Sequence, residues 1–481
     1  MKNWMLRVID LAVQGGARYA DIRVVRNTQQ HISVKNGVVD GVQSSQNDGF
    51  GVRVLVGNGW GFAGSSGIQA GDEEQVVSQA LEIAAASNSS GAPSVDLGPI
   101  VTSAGVYVTP CQIDPFSVPL NDKISLLLAA DAALRDGPNV RTRTASMIFQ
   151  REQRLFANSE GAFTDQTIIE SGGGIQAVAV GKGEIQTRSY PNSFGRNQLT
   201  GGYEVILGWD FPANAPRIAD EASALLSAAI CPADLTTTLI LGGGQLALQI
   251  HESCGHAAEL DRVFGSEAAY AGTSFLTLEK LGGFQYGSPF VNITADSLRP
   301  KGLGTYGWDD EGVPAQSVPL VKEGRFVNYL TSRESAARLG QVSNGCMRAS
   351  SWNRMPIIRM PNISLEPGVW DLEDLIADTD EGIYMETNRS WSIDDRRLNF
   401  QFGTEIGYEI KHGKRVRMLR NPIYTGNTPE FWNSCDAVCN ADHWQMWGTP
   451  NCGKGQPSQT IHTGHGAAPA RFREVRVGVM K

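Results

Sequence analysis

The chain has 481 residues, 41% hydrophobic and 19% charged, with a formal net charge of −9. At roughly 150 residues per domain, this length exceeds one core and implies two or three domains of a soluble globular protein. The acidic balance contains no dense Lys/Arg block, which argues against direct nucleic-acid binding, and no apolar run approaches a membrane span. The seven cysteines form an odd, scattered set rather than a disulfide framework. The N-terminal stretch MKNWMLRVIDLAVQGG carries Arg7 and Asp10 inside its apolar portion, unlike a signal peptide. The expected location is cytoplasmic.

Residues 2–15 carry apolar positions at helical spacing. Four alternating runs follow, ADIRVVR, HISVKNG, VVDGVQS and GVRVLVGNGWGFAG, the last turning at Gly57-Asn58-Gly59, a strong hairpin signal. Residues 71–87 predict a helix whose acidic first turn suits its dipole. Five prolines from Pro93 to Pro119 mark a connecting segment, and a helix near 121–135 comes next. Further hairpins are predicted in RTASMIFQREQRLFANSEG and in GGGIQAVAVGKGEIQTRSY, which turns at Gly181-Lys182-Gly183. A helix near 214–230 leads to a fresh β-run, PADLTTTLILGGGQ. The boundary falls there, between an N-terminal α+β domain (1–230) and a C-terminal domain (231–481). Downstream hairpins are expected at VPLVKEGRFVNYL and YEIKHGKRVRML. Helices packed on mostly antiparallel strands make the fold α+β.

The stretch LALQIHESCGHAAELD (246–261) reads as one helix and holds two of the seven histidines. At 100° per residue, His251 and His256 lie about 140° apart, whereas the H-E-x-x-H pattern of zinc proteases separates its histidines by about 40°. Both imidazoles meet one ion only if the helix widens locally or ends there. Gly255 weakens the helix at that point, and single π-turns recur at functional sites. Glu252 and Glu259 fall between the two histidines. Leu246, Ile250, Cys254 and Ala257 take the opposite, apolar arc. Two neutral nitrogen donors with carboxylates form a set suited to zinc (Zn2+), and Glu252 is placed to act as general base to an activated water.

A catalytic zinc needs a third protein ligand. Glu259 is the near candidate, and Cys254 reads as a small buried hydrophobe. In the tail, Cys435, Cys439, His443 and Cys452 offer a second possible zinc set, or Cys452 reaches back from a glycine-bearing loop to the histidine helix. Asp309-Asp310-Glu311 is either a hard-cation site or a solvated turn. Tyr306, Arg348 and His465 are polar-loop candidates for stabilising an oxyanion.

These segments resemble the TldD/PmbA family of metallopeptidases, once described as modulators of DNA gyrase. The likeness runs through GARYADIRV, GFGVRVLVGNGWGFA, HESCGHAAELD, GLGTYGWDDEGVPAQSVPLVKEGRFVNYLTSRESA, RMPNISLEPG, CGKGQP and HGAAPARFREVRVG. It implies that His251, His256 and Cys452 hold zinc, with Glu252 as base. It further implies a TldD-type, motif-bearing subunit that acts on unfolded or small polypeptides, either as a homodimer or paired with a motif-lacking relative. The rival expectation is a non-catalytic binding or assembly subunit with a structural zinc site. The chain departs from the family pattern in carrying Cys254, Cys435, Cys439 and His443.

Overall fold

The alternating segments of the first half pair through short glycine turns. In the computed structural model, which describes residues 1–68, 71–88 and 94–478, the strands Val38–Val56 and Gly59–Ser66 join at Gly57-Asn58. Phe163–Gly181 and Glu184–Tyr190 join at Lys182-Gly183, both with positive φ as a tight hairpin turn requires. Pro93 of the expected connecting segment lies outside the described residues.

Eight strands form the N-terminal sheet, and Tyr19–Lys35 pairs along its length with both Val38–Val56 and Val140–Asn158. One sheet therefore spans residues from both sides of the proline-rich connection. Helices Lys2–Gln14 and Asp72–Ser87 bury Met5, Val8, Val76 and Ala80 against Ile22, Phe50 and Val52. Helices Leu120–Leu134 and Phe211–Leu225 bury Leu127, Leu134, Ile218 and Ala222 against Ile32, Met147 and Phe149. The hydrophobic spacing in each helix matches the stripe it buries.

The second half also has an eight-stranded sheet, and the strand Ala229–Ile230 already belongs to it through parallel pairing with Leu419 and Arg420. Strands Leu235–Leu241, Glu381–Ile393, Asn399–Lys411, Ile423–Asn427 and Ala470–Val477 pair in a closed ring. The helix Gly243–Ile250 buries Leu246 and Ile250 in the same core as Leu241, Met385, Phe402 and Phe472. Its Gln245 donates to the Tyr424 hydroxyl, which in turn donates to Gln249. A separate hairpin, Gln445–Lys454 with Gln459–Ala467, lies beside this helix. The architecture is α+β with mostly antiparallel sheets, as the hydrophobic patterning predicts. No helix among the described residues is long and apolar enough to cross a membrane.

Asp309-Asp310-Glu311 is not a solvated turn. All three are at most 3% exposed. Asp310 accepts from Arg154 and lies near Arg23, while Glu311 pairs with Arg53; all three arginines come from the N-terminal sheet. Arg23 also donates to the carbonyls of Ser351 and Arg354. Asp309 is spent on backbone amides of Glu311, Val313 and Met347. Asp309 thus braces the turn from within, while Asp310 and Glu311 pair with arginines of the other half, so the motif serves as a clasp between the halves. A second clasp sets Arg188 among Glu221, Glu386 and Glu405. Burial would raise the Asp310 carboxyl, but Arg154 and Arg23 hold it below the usual carboxylate range.

Breaking one side of such a buried pair leaves an uncompensated charge, which costs about 3 kcal/mol or more. Asp310→Ala is expected to lose that much stability in denaturant unfolding, whereas Arg476→Ala, at an exposed pair with Asp234, should lose under about 1 kcal/mol. Similar small losses in both variants would refute the clasp.

Candidate metal centre

The helix that begins at Gly243 does not run on to Asp261. It is α-helical to Ile250, π-helical over His251–Gly255 and 3₁₀ over His256–Ala258. The His256 amide donates to the His251 carbonyl, an i→i+5 bond that brings residues five apart onto one face. Two features favour the widened turn. A Cβ at Gly255 would run into the Met360 side chain packed over it, so any larger residue there requires Met360 to move. The Ser253 hydroxyl donates to the Gln249 carbonyl and accepts from the Trp432 indole, holding the turn against the core.

Cys452 arrives from the hairpin. It lies on a strand, not in a loop, at a point where the pairing register slips between Thr449 and Cys452. Such bulges re-aim a side chain. The ligand atoms of His251, His256 and Cys452 lie within 4.8 Å of one another, and all three side chains are buried. The Cys452 sulfur is 3.5 Å from His256 Nε2. Bonds of about 2.1 Å to nitrogen and 2.3 Å to sulfur would put two ligands of one tetrahedral zinc about 3.6 Å apart, so this spacing fits that ion.

Hydrogen bonding sets which nitrogen of each ring is free. His256 Nδ1 is 3.0 Å from Glu259 Oε2. A carboxylate only accepts, so Nδ1 carries the proton and Nε2 keeps its lone pair toward Cys452. His465 Nδ1 is 3.0 Å from the Ile363 carbonyl, and its Nε2 is 2.8 Å from His251 Nδ1. The carbonyl forces a donor at His465 Nδ1. In the neutral ring Nε2 then accepts, so His251 Nδ1 donates and His251 Nε2 is left bare. Burial pushes both motif histidines below the usual imidazole range, which keeps them neutral. Burial would raise the Cys452 thiol, yet the Arg359 guanidinium works against it and the thiol lies below its ordinary value, as a metal-binding thiolate requires.

Glu259, the near candidate for third ligand in the sequence, instead orients His256. It is fully buried among Arg262, Arg359 and Lys454. Lys454 also donates to Asp261 and the Ile358 carbonyl, and Arg359 donates to the Cys452 carbonyl. Cys254 sits in the apolar core with Leu246, Ile250 and Ala257, its thiol pushed up to about 12 by burial. The tail set does not assemble. Cys435 and Cys439 are buried on core faces, and His443 contacts Asp371, so the one His/Cys cluster among the described residues is His251, His256 and Cys452. Tyr306 and Arg348 line a different cavity, beside Asp310, where they donate to the carbonyls of Gly345, Met360 and His462.

Glu252 shares a pocket of about 260 Å³ with His251, His256 and Cys452. Its carboxylate accepts from Arg397 at 2.6 Å. Arg397, in the turn between strands Glu381–Ile393 and Asn399–Lys411, carries no local signature in the sequence, and the pairing of His465 with His251 across 214 residues carries none either.

Comparison with known proteins follows the same lines. The PmbA/TldA metallopeptidase C-terminal domain matches residues 236–478, the central domain 113–230 and domain 1 residues 20–84. A metalloprotease of Methanothermobacter thermautotrophicus is 30% identical over 97% of this chain and 96% of its own length. A Methanocaldococcus jannaschii metalloprotease is 28% identical over 87% of this chain and 89% of its own. A zinc metalloprotease TldD homolog of Saccharolobus solfataricus is 27% identical over 50% of this chain and 51% of its own. The crystal structure of a proposed modulator of a DNA gyrase from Thermotoga maritima shares the fold, with a TM-score of 0.78 and 17% identity over 99% of this chain and 100% of that one. With three family domains matched in order over most of its length, and a relative 30% identical over 97% of it, the chain belongs to the PmbA/TldD family of metallopeptidases.

Proposed function

We propose that this chain is a zinc-dependent peptidase that hydrolyses unfolded or small polypeptides, with His251, His256 and Cys452 holding the ion and Glu252 as general base. The observation that carries this reading is the convergence of two bare imidazole nitrogens and an acidified thiol on one point, in a pocket shared with a carboxylate. The zinc-protease name of the Saccharolobus relative supports the choice of metal. Three protein donors leave one tetrahedral position open, which distinguishes a catalytic from a structural site.

Bound zinc supplies Lewis acidity that lowers the pKa of water to about 7 and polarises a carbonyl. Glu252 accepts the proton of the attacking water at a carboxylate oxygen and passes it to the departing amine nitrogen. Arg397 holds that carboxylate in place until then. The substrate is read along its backbone by strand addition at a sheet edge. Assembly as a homodimer, or with a motif-lacking relative, and a cytoplasmic location belong to the same reading.

Glu252→Gln is expected to retain zinc and lose peptide hydrolysis by roughly 10²–10⁴-fold, assayed alone and with a candidate partner subunit. Near-normal turnover would transfer the site to a structural role. Cys452→Ala should lose zinc by elemental analysis while Cys254→Ala keeps it; full occupancy in the first would remove Cys452 from the ligand set. His465→Leu should weaken zinc binding by about 10–100-fold in a chelator competition, and His465→Gln, which can still accept from His251, should recover most of it. Equal affinities in the two His465 variants would refute the tautomer argument.

A further inference from the structure

The pocket over the three donors is polar at its floor and aromatic at its rim. Phe194, from the turn after strand Glu184–Tyr190, is 51% exposed, and Trp391, near the end of strand Glu381–Ile393, is 43% exposed. Both line the pocket that holds His251, Glu252, His256 and Cys452. Their rings stand edge to face, with centroids 6.4 Å apart and planes at 70°. One ring comes from the N-terminal half and the other from the C-terminal half, so the contact between them joins the two halves at the pocket.

Single apolar residues in water are ordinary, but two features set this pair apart. The rings meet as one apolar wall of the pocket that holds the three donors. Phe194 is also held at φ 59°, ψ 26°, a left-handed conformation that a bulky residue rarely adopts. Strain of this kind persists where the surroundings over-determine it, and it clusters at ligand clamps. The Arg196 guanidinium lies 5.9 Å from the Phe194 centroid and helps to fix the ring. Aromatic faces held rigid and half wet gain most from an apolar group packed against them.

We propose that Phe194 and Trp391 form a subsite for a large apolar, preferably aromatic, side chain of the substrate residue beside the scissile bond. This rests on the peptidase reading above and adds a preference to it. The backbone of the substrate is read without regard to sequence, and this rim supplies the selection.

The test uses full-length, zinc-loaded Glu252→Gln protein, which binds without turnover. It is titrated calorimetrically with blocked tetra-alanine and with four versions carrying one Phe at each position. One Phe register should bind about tenfold or more tightly than tetra-alanine. Adding Phe194→Ala or Trp391→Ala should abolish that preference while leaving tetra-alanine affinity, zinc content and unfolding temperature unchanged. Equal affinity for all peptides, or a preference that survives both substitutions, overturns the subsite. Binding of no peptide overturns it as well, whereas hydrolysis by the unsubstituted protein decides the peptidase reading separately. If the substitutions change the sedimentation behaviour instead of peptide preference, the rings belong to a subunit contact and the subsite is overturned.

Discussion

The candidate centre depends on one widened helical turn. Five residues separate His251 from His256, and an α-helix would turn their rings far apart. The π-turn over His251–Gly255 removes that mismatch, so that the ring centroids stand 4.9 Å apart. The turn is held from outside: Met360 presses on Gly255, and Trp432 with Ser253 fixes its inner side. The local geometry is therefore a product of packing as much as of the peptide chain itself, since π-turns have little intrinsic stability.

A second constraint comes from the hairpin at the far end of the chain. Its register pairs Trp447 with His465 and Cys452 with Ile461, so one face of this hairpin carries both the thiol and the imidazole that orients His251. A one-residue slip between the strands would put them on opposite faces. Arg359, Lys454 and Glu259 anchor the hairpin to the motif segment from beneath. Of these, Arg359 also weakens the thiol's hold on its proton against the opposing effect of burial, so anchoring and electrostatic tuning share that residue.

The halves of the molecule are joined by charge rather than by a greasy seam. Arg23, Arg53 and Arg154 project from the long N-terminal strands into Asp310 and Glu311, and Arg333 reaches back to Glu160. Buried pairs of this kind tolerate little misalignment, because each lost partner strands a charge. They fix the approach of the two halves, and with it the contact of Phe194 with Trp391 at the pocket.

Periodicity and turn chemistry in the sequence determined the α+β class, the hairpins at Gly57-Asn58 and Lys182-Gly183, and the apolar arc that carries Cys254 away from the histidines. Even the need for a widened turn was legible, because the H-E-x-x-x-H spacing conflicts with 100° per residue. These features obey local rules of spacing. Tertiary structure alone decided that Glu259 orients His256, that Cys452 rides a bulged strand, that His465 sets the tautomer of His251, and that the acidic triplet is a clasp. Each of these joins groups through space by desolvation, charge or hydrogen bonding. Such contacts leave no period along the chain, even at the three-residue spacing of His256 and Glu259, where the chain had already left the α-helix.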